Sequence, residues 1–366
     1  MRWSWTVARI AGIRIDVHAT FLLLLAWVAL ADYQRAQTAA AAIEGVLLTL
    51  AIFASVVLHE YGHALTAARF GVKTRSITLL PIGGVARLER MPDRPREELA
   101  IAIAGPAVTL GIIIVLYVAL RLVGAPIVGA VTGSGTSGSF AAQVLWVNVV
   151  LAVFNLLPAF PMDGGRVLRA ALALRMPFAR ATAIAARIGK VFALLFALAG
   201  LFVVSNPFLV VIAVFVWLSA AAEAASAQLK ATVGDVPVAR AMITDIRTLS
   251  PTALVSTALD EVRSGCQHDF PVVDDRSVSG VLTRENLLKA VADGRSDAKI
   301  GDVMQRSFAA TTPDESLENA LARLQTCHCH TLLVLRGREL VGLLTAEKIT
   351  EFVLIASAMH PEHAGA

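Results

Sequence analysis

Residues 57–65 of the chain read Val57-Leu58-His59-Glu60-Tyr61-Gly62-His63-Ala64-Leu65. His59 and His63 are four residues apart, so on a helix their side chains lie on one face, with Glu60 between them. Two imidazoles at this spacing, with a carboxylate that can reach a water on the same ion, are typical of a catalytic zinc site. Because five-residue matches also arise by chance in soluble helices, the surrounding sequence decides what this one means.

The surroundings of the motif are apolar. Residues 39–58 are almost all Ala, Ile, Val, Leu and Phe, and Glu44 is the only charged residue among them. Ionisable side chains in an apolar helix are costly and therefore indicate function. The alternative, two structural core histidines, would have to place His59, Glu60 and His63 together at the end of a membrane helix. The whole chain of 366 residues is 56% hydrophobic with a mean hydropathy of +0.68, which predicts a membrane domain with room for a soluble one.

Charge and cysteine content exclude two broad classes of protein. The net charge is only +4, and the arginines cluster beside apolar segments rather than along a stripe, so we expect no nucleic-acid partner. All three cysteines, Cys266, Cys327 and Cys329, lie late in the chain without a paired framework. This usage favours a reducing compartment over a secreted, disulfide-stapled fold.

Six apolar segments approach the ~20 residues that a membrane-spanning helix needs. The connections between them alternate in Lys and Arg content: three in residues 1–16, seven in 69–96 and six in 166–190, against Arg35 and Arg121 elsewhere. By the positive-inside rule this alternation predicts a multi-pass protein of the plasma membrane with six spans and with both termini in the cytoplasm. The predicted segments are 17–31, 39–65, 99–123, 140–160, 188–204 and 207–222.

This topology brings a second acidic residue to the depth of the two histidines. The second and fourth predicted spans both run towards the cytoplasm, so the zinc motif and the residues after Phe160 arrive at a similar level. Pro158 and Pro161 cannot both lie in a regular helix, so the chain unwinds there. Asp163 follows directly and would be a third metal ligand, leaving the fourth position for water. The alternative is a helix cap, because Asp163 followed by two glycines could simply start the next helix.

The two motifs together resemble the site-2 protease family of intramembrane zinc metalloproteases. The first is H-E-x-x-H late in one membrane helix, and the second is N-x-x-P-x-x-P-x-D-G from Asn155 to Gly164. The resemblance covers residues 1–225. It implies that one zinc ion is bound by His59, His63 and Asp163, and that Glu60 is the base and proton shuttle.

Further residues near this site are expected to support it. Asn155 and Pro158 stand in the second motif, where Asn155 could bond substrate or loop backbone, or equally a neighbouring helix. Residues 81–87 read Pro-Ile-Gly-Gly-Val-Ala-Arg and resemble a Gly-Gly element near the active site of the same family. Gly83 and Gly84 suit a turn or a close backbone approach, and an extended substrate could pair with such an edge. An ordinary hairpin turn fits these residues equally well.

The tail repeats itself at a constant offset. Met242 and Met304 lie 62 positions apart, as do Gly280-Val281-Leu282-Thr283 and Gly342-Leu343-Leu344-Thr345. Each unit predicts strand, helix, two strands and helix, which resembles a tandem pair of CBS domains, a Bateman module. The family likeness implies a regulatory role, adenine nucleotides in clefts that include Thr283 and Thr345, and a homo-oligomer formed through the module. The predicted boundaries are 226–234 for a linker, 235–296 and 297–358 for the repeats, and 359–366 for a tail.

Two departures complicate the nucleotide prediction. In the G-x-x-T-x-x-D signature the last Asp holds a ribose, but this chain has Asn286 in one repeat and Lys348 in the other. Both acids are lost, which argues against nucleotide binding. Cysteine and histidine residues recur at 266–268 and 327–330 and could gather into a soft-metal or redox site, although inert buried cysteines are more usual.

The fold class predicted is therefore an α-helical polytopic membrane protein with six spans, followed by a cytoplasmic α/β tandem CBS module. The resemblance implies a zinc metalloendopeptidase that performs regulated intramembrane proteolysis. Its substrates would be single-span proteins in membrane lipid, such as membrane-tethered transcription regulators or anti-sigma factors. One alternative is a CBS-regulated transporter or channel, or a catalytically inactive homologue. Another is a prenyl-protein peptidase, for which we would expect a downstream glutamate ligand on a helix rather than Asp163.

Overall fold

The computed structural model describes residues 3–81, 83–88, 94–125, 139–234, 236–265, 267–275, 277–327 and 329–359. The chain divides into two compact units, residues 1–225 and 226–366. In the first unit the helices are α1 (Ala19–Ala36), α2 (Ala39–Arg69), α3 (Pro95–Leu122), α4 (Phe140–Asn155), α5 (Asp163–Ala173) and α6 (Phe178–Leu198). The helix α7 (Pro207–Val233) begins in the first unit and ends in the second. A π-helical turn, Ala199–Val203, continues α6. The strands of this unit are β1 (Ser4–Ile10), β2 (Ile13–His18), β3 (Thr74–Leu80) and β4 (Gly83–Leu88).

Four of these helices are long and apolar enough to cross a membrane: α2, α3, α6 with its π-helical turn, and α7. In their most apolar windows only 17–28% of residues are buried inside the protein, so most of the apolar surface needs another apolar environment. The helix α4 is apolar but shorter, at 16 residues, and α1 has 18. The multi-pass architecture is thus evident, while the count of six spans stays a prediction.

The four strands form one sheet in the order β1-β2-β3-β4, parallel between β2 and β3 and antiparallel elsewhere. One face of the sheet packs on the C-terminal half of α2, where Ile13, Ile15 and Ile77 meet Tyr61 and Ala64. These contacts fix the sheet beside the helical turn that carries the zinc motif.

The second unit is built from two similar halves. Its helices are α8 (Val255–Ser264), α9 (Arg284–Ala292), α10 (Ile300–Val303), α11 (Leu317–Cys327) and α12 (Ala346–Met359), and its strands are β5 (Phe270–Asp274), β6 (Ser277–Leu282), β7 (Ala310–Thr311), β8 (Thr331–Arg336) and β9 (Glu339–Thr345). The hairpins β5-β6 and β8-β9 share one register and carry a bulge at equivalent places, after Val272 and after Val334. The 62-residue repeat in the sequence is therefore a repeat in structure.

The two halves exchange segments. Val238 and Ala241, which precede the first repeat's helix and hairpin, lie in the hydrophobic core of the second repeat with Leu317 and Leu332. Conversely, Ile300 at the start of the second repeat lies in the core of the first. Residues 226–233, predicted as a linker, are the helical end of α7, which runs unbroken to Val233.

Candidate metal centre

Three ligand atoms converge at the junction of α2 and α5. His59 Nε2 lies 2.9 Å and His63 Nε2 lies 3.2 Å from Asp163 Oδ2, and the two Nε2 atoms are 3.1 Å apart. All three residues are buried, at 7–9% exposure. Within the described part of the chain this is the one group of three or more His, Cys, Asp or Glu side chains close enough to hold a metal ion.

The outer nitrogens of both rings are held by α3. His63 Nδ1 lies 2.7 Å from the carbonyl oxygen of Ile101, which can only accept, so Nδ1 carries the proton. His59 Nδ1 lies 2.9 Å from Thr109 Oγ1, and the Thr109 hydroxyl donates in turn to the carbonyl of Gly105. Each ring therefore presents the lone pair of Nε2 to the site, which is the tautomer that a metal-binding histidine needs.

A glycine on α3 leaves the space that an ion requires. A Cβ atom placed on Gly105 would lie 2.2 Å from His63 Nε2 and 2.7 Å from His59 Nε2. In a tetrahedral site with bonds of ~2.0 Å the ligand atoms are about 3.3 Å apart, close to the separations seen here. Two lone pairs and a carboxylate would repel one another without a cation between them. The residues present thus fit a zinc ion.

The segment that delivers Asp163 depends on two further glycines. After α4 the chain unwinds over Pro158 and Pro161, and α5 begins at Asp163. A Cβ on Gly164 would lie 2.3 Å from two carbonyl oxygens of this loop, and one on Gly165 would lie 2.6 Å from the carbonyl carbon of Ala159. Only glycine lets the first turn of α5 lie this close to the loop.

Asp163 stands at the start of α5, against His59 and His63. Asp163 lies in the first turn of α5, yet no side-chain cap bond is found at this helix start. The helix-cap alternative therefore does not account for its position against the histidines.

Glu60 faces the same site from the side of the sheet. Its carboxylate has His63, His59, Asp163 and Arg166 as electrostatic neighbours. The strand β4 passes directly over it, because a Cβ on Gly84 would lie 2.9 Å from Glu60 Cγ. In the described residues no strand pairs with the outer edge of β4, which is the last strand of the sheet.

The residues predicted to support the site lie on α4, in the loop after it and on β4. Asn155 is the last residue of α4 and Pro158 lies in the loop, both half-buried. Gly83 has a φ of +134°, a backbone conformation that favours glycine. Of these residues, Gly84 is the one whose contact with Glu60 the structure shows.

The second unit contains a cavity of about 550 Å³. Thr345 lines it and accepts a hydrogen bond from the backbone of Lys348 at 3.1 Å, and Thr283 caps α9 in the same way through Asn286. The two residues at the ribose-binding positions have other partners. Asn286 donates to the carbonyl of Val303 at 3.2 Å, and Lys348 pairs with Glu351 at 2.9 Å.

The predicted cysteine and histidine cluster is not assembled in the described residues. Cys327 and Cys329 are paired with each other in a disulfide, whereas the sequence favours reduced cysteines. His268 and His330 line the cavity of the second unit. Cys266 and His328 lie outside the described residues.

Sequence reasoning missed Ile101, Gly105 and Thr109 on α3. Their spacing of four residues, with Ile101 contributing a backbone carbonyl, places them on one face. Gly105 stands before Pro106 inside an apolar helix, and this was the one local signal that the position is special.

Comparison with known proteins shows which families the two parts of the chain match. Residues 47–196 match the model of peptidase family M50, and residues 233–293 and 300–355 match the model of the CBS domain. Zinc metalloprotease MJ0392 of Methanocaldococcus jannaschii is 30% identical over 349 residues, covering 95% of this chain and 96% of that protein. Rip3 of Mycobacterium tuberculosis is 30% identical over 387 residues, covering 99% of this chain and 96% of that protein. A solved site-2 protease from M. jannaschii is 38% identical, covers 61% of this chain and 95% of its own, and has a TM-score of 0.45.

Proposed function

Because the chain belongs to peptidase family M50 and carries a pair of CBS domains, we propose that it is an intramembrane zinc endopeptidase. The observation that carries this proposal is that the Nε2 atoms of His59 and His63 and Oδ2 of Asp163 lie within 3.2 Å of one another. The histidines lie on a helix long enough to span a membrane, and Asp163 starts α5, directly after the proline-containing loop. A CBS-regulated transporter or channel would not explain why these three potential zinc ligands lie together.

The chain's own residues divide the chemistry between them. A zinc ion held by the three ligands would polarise the scissile carbonyl and lower the pKa of water towards ~7. Glu60 takes the proton of the attacking water and delivers it to the leaving amine. Thr109 and the Ile101 carbonyl keep both imidazoles in the orientation that this requires.

We propose that the substrate lies along the outer edge of β4. A helical substrate hides its carbonyls in internal hydrogen bonds and must be extended before attack. The free edge of β4 offers backbone donors and acceptors to an extended segment, and Gly84 brings that edge against Glu60. The substrates proposed are single-span membrane proteins, such as membrane-tethered transcription regulators or anti-sigma factors, cleaved within regulated intramembrane proteolysis.

The CBS pair is proposed as a regulatory module. Its cavity is lined by four carboxylates, on Asp245, Glu261, Asp269 and Glu347, but by only two arginines. This excess of negative charge, with Asn286 and Lys348 already partnered, disfavours a nucleoside triphosphate. We therefore expect calorimetric titration with ATP to give no saturable binding at micromolar concentration.

Zinc content tests the proposed function. The full-length protein is purified in detergent, and elemental analysis compares wild type with Asp163→Ala and Glu60→Gln. We expect about one zinc per chain in wild type and in Glu60→Gln, and a loss of affinity of at least about tenfold in Asp163→Ala, which removes one of three protein ligands. A wild type that stays empty after zinc is supplied overturns the proposal, and unchanged zinc in Asp163→Ala would instead favour another type of membrane metalloprotease.

A further inference from the structure

Arg169 is a buried cation on α5, six residues after Asp163. Its exposure is 3%, and its Nε donates to Glu98 Oε1 at 2.8 Å. Its terminal nitrogens donate to Glu98 on α3 and to Glu223 on α7. Burying such a group is costly unless it is fully partnered, and the fixed fork of a guanidinium makes its partners geometrically specific. Arg169 therefore holds three helices in a defined arrangement.

Two aromatic rings also contact the same guanidinium. Its central carbon lies 5.1 Å from the ring centre of Phe160 and 4.9 Å from that of Phe178. Phe160 is 2% exposed and stands in the loop three residues before Asp163. Arg169 thus lies on the same helix as Asp163, α5, and also contacts the loop that precedes Asp163.

Glu98 lies on the face of α3 that supports the histidines. Glu98, Ile101, Gly105 and Thr109 follow at spacings of three, four and four, which is one stripe of a helix. The Arg169–Glu98 pair therefore fixes the position of α5 along the axis of α3, relative to these four residues. A slip of one residue along a helix is about 1.5 Å, half of the 2.9 Å between Asp163 and His59.

We propose that Arg169 is a positioning residue of the metal centre: through Glu98 and Phe160 it sets where the Asp163 carboxylate stands relative to His59 and His63. This inference rests on the proposed zinc function. Arg169 does not touch the ligand atoms itself, and a lysine in its place keeps the charge but loses the fork and the planar faces.

The test uses full-length protein loaded with zinc or with Co²⁺, whose absorption spectrum reports ligand geometry. Arg169→Lys is compared with wild type and with Arg175→Lys, a matched change at an exposed arginine just beyond α5. We expect Arg169→Lys to lower zinc affinity about 10- to 100-fold, as loss of outer support typically does, and to alter the Co²⁺ spectrum. Arg175→Lys should leave both unchanged.

A second variant covers the case in which Arg169→Lys does not fold. Arg169→Gln combined with Glu98→Gln removes both charges of the Arg169–Glu98 pair and keeps hydrogen-bonding side chains, and the remaining carboxylate, Glu223, has a side chain that is 32% exposed to solvent. It should fold and bind zinc more weakly than wild type. Wild-type affinity and spectrum in a folded Arg169→Lys, or in the double variant, would overturn the proposal while leaving the zinc function intact. A wild type that binds neither metal would overturn both.

Discussion

Gly105 decides whether an ion fits between the two histidines. Its missing side chain leaves open the position where a Cβ would stand 2.2 Å from His63 Nε2. We expect Gly105→Ala to reduce zinc affinity by at least about tenfold, because the methyl group displaces a ligand from the ion. Elemental analysis and chelator competition on purified protein measure this directly.

The chain offers a matched control for this substitution. Gly111 lies on the same helix, α3, and a Cβ placed there meets nothing within 4 Å. Gly111→Ala should keep full zinc content and a melting temperature equal to or above that of wild type, since alanine in a helix is favoured by about 0.5–1 kcal/mol. Equal zinc loss in both variants would mean that the effect comes from α3 as a whole and not from the site.

At this scale the sequence predicts the candidate ligand residues but not the residues that orient them. Packing in an apolar segment does not explain why His59, His63 and Asp163 are present. Their residue types and their spacing along the chain are therefore enough to identify them as candidate ligands. Thr109 and Ile101 carry no such signal, because a threonine or an isoleucine in an apolar helix is ordinary until its partner across the helix interface is known.

At the scale of elements, the site depends on how closely β4 lies on α2. Gly84 permits this contact, because a Cβ there would lie 2.9 Å from Glu60 Cγ and 3.2 Å from Val56 Cγ1. We expect Gly84→Ala to retain zinc but to lower cleavage about 100-fold, because a shift of about 1 Å in a catalytic group or in the substrate edge costs that much. The readouts are zinc content and the cleavage of co-expressed single-span proteins, followed by mass spectrometry of membranes.

Val85→Ala is the companion variant, since Val85 is the next residue on the same strand and is 44% exposed. It should leave both zinc content and cleavage near wild type. If Gly84→Ala cleaved at the wild-type rate, β4 would have no part in presenting the substrate, and the edge proposed for it would have to be abandoned.

At the scale of the whole molecule, the repeat predicted the architecture of the second unit but not how its halves interlock. Ile243 bridges Leu343 and Gln305 bridges Val281, so each half adds a segment to the hairpin of the other. A sequence repeat fixes which residues are equivalent, but the same repeat is compatible with halves that fold alone or exchange segments. Gly280 and Gly342 are the sequence features that accompany this exchange. Each lies against a methionine side chain and a backbone carbonyl from the other half.

The arginine pattern makes a prediction about the whole chain that its helices alone cannot make. If α2 ends on the cytoplasmic side, the metal centre lies near that side, as the richer Lys and Arg content after α2 predicts. Alkaline phosphatase fused at successive joints measures this, because the enzyme is active only outside the cytoplasm. We expect activity for fusions after Gln37, Gly124 and Ser205, and none for fusions after Gly71, Arg175 and Gly234.

The fusion after Gly71 is the decisive one, and fluorescent-protein fusions at the same joints serve as the reciprocal control. Inactive phosphatase with a fluorescent partner there would place His59 and His63 within about three helical turns of the cytoplasmic surface, where water can reach Glu60. Phosphatase activity after Gly71 would put the metal centre on the opposite side. Soluble products would then leave away from the cytoplasm, and cytoplasmic transcription regulators could no longer be the substrates.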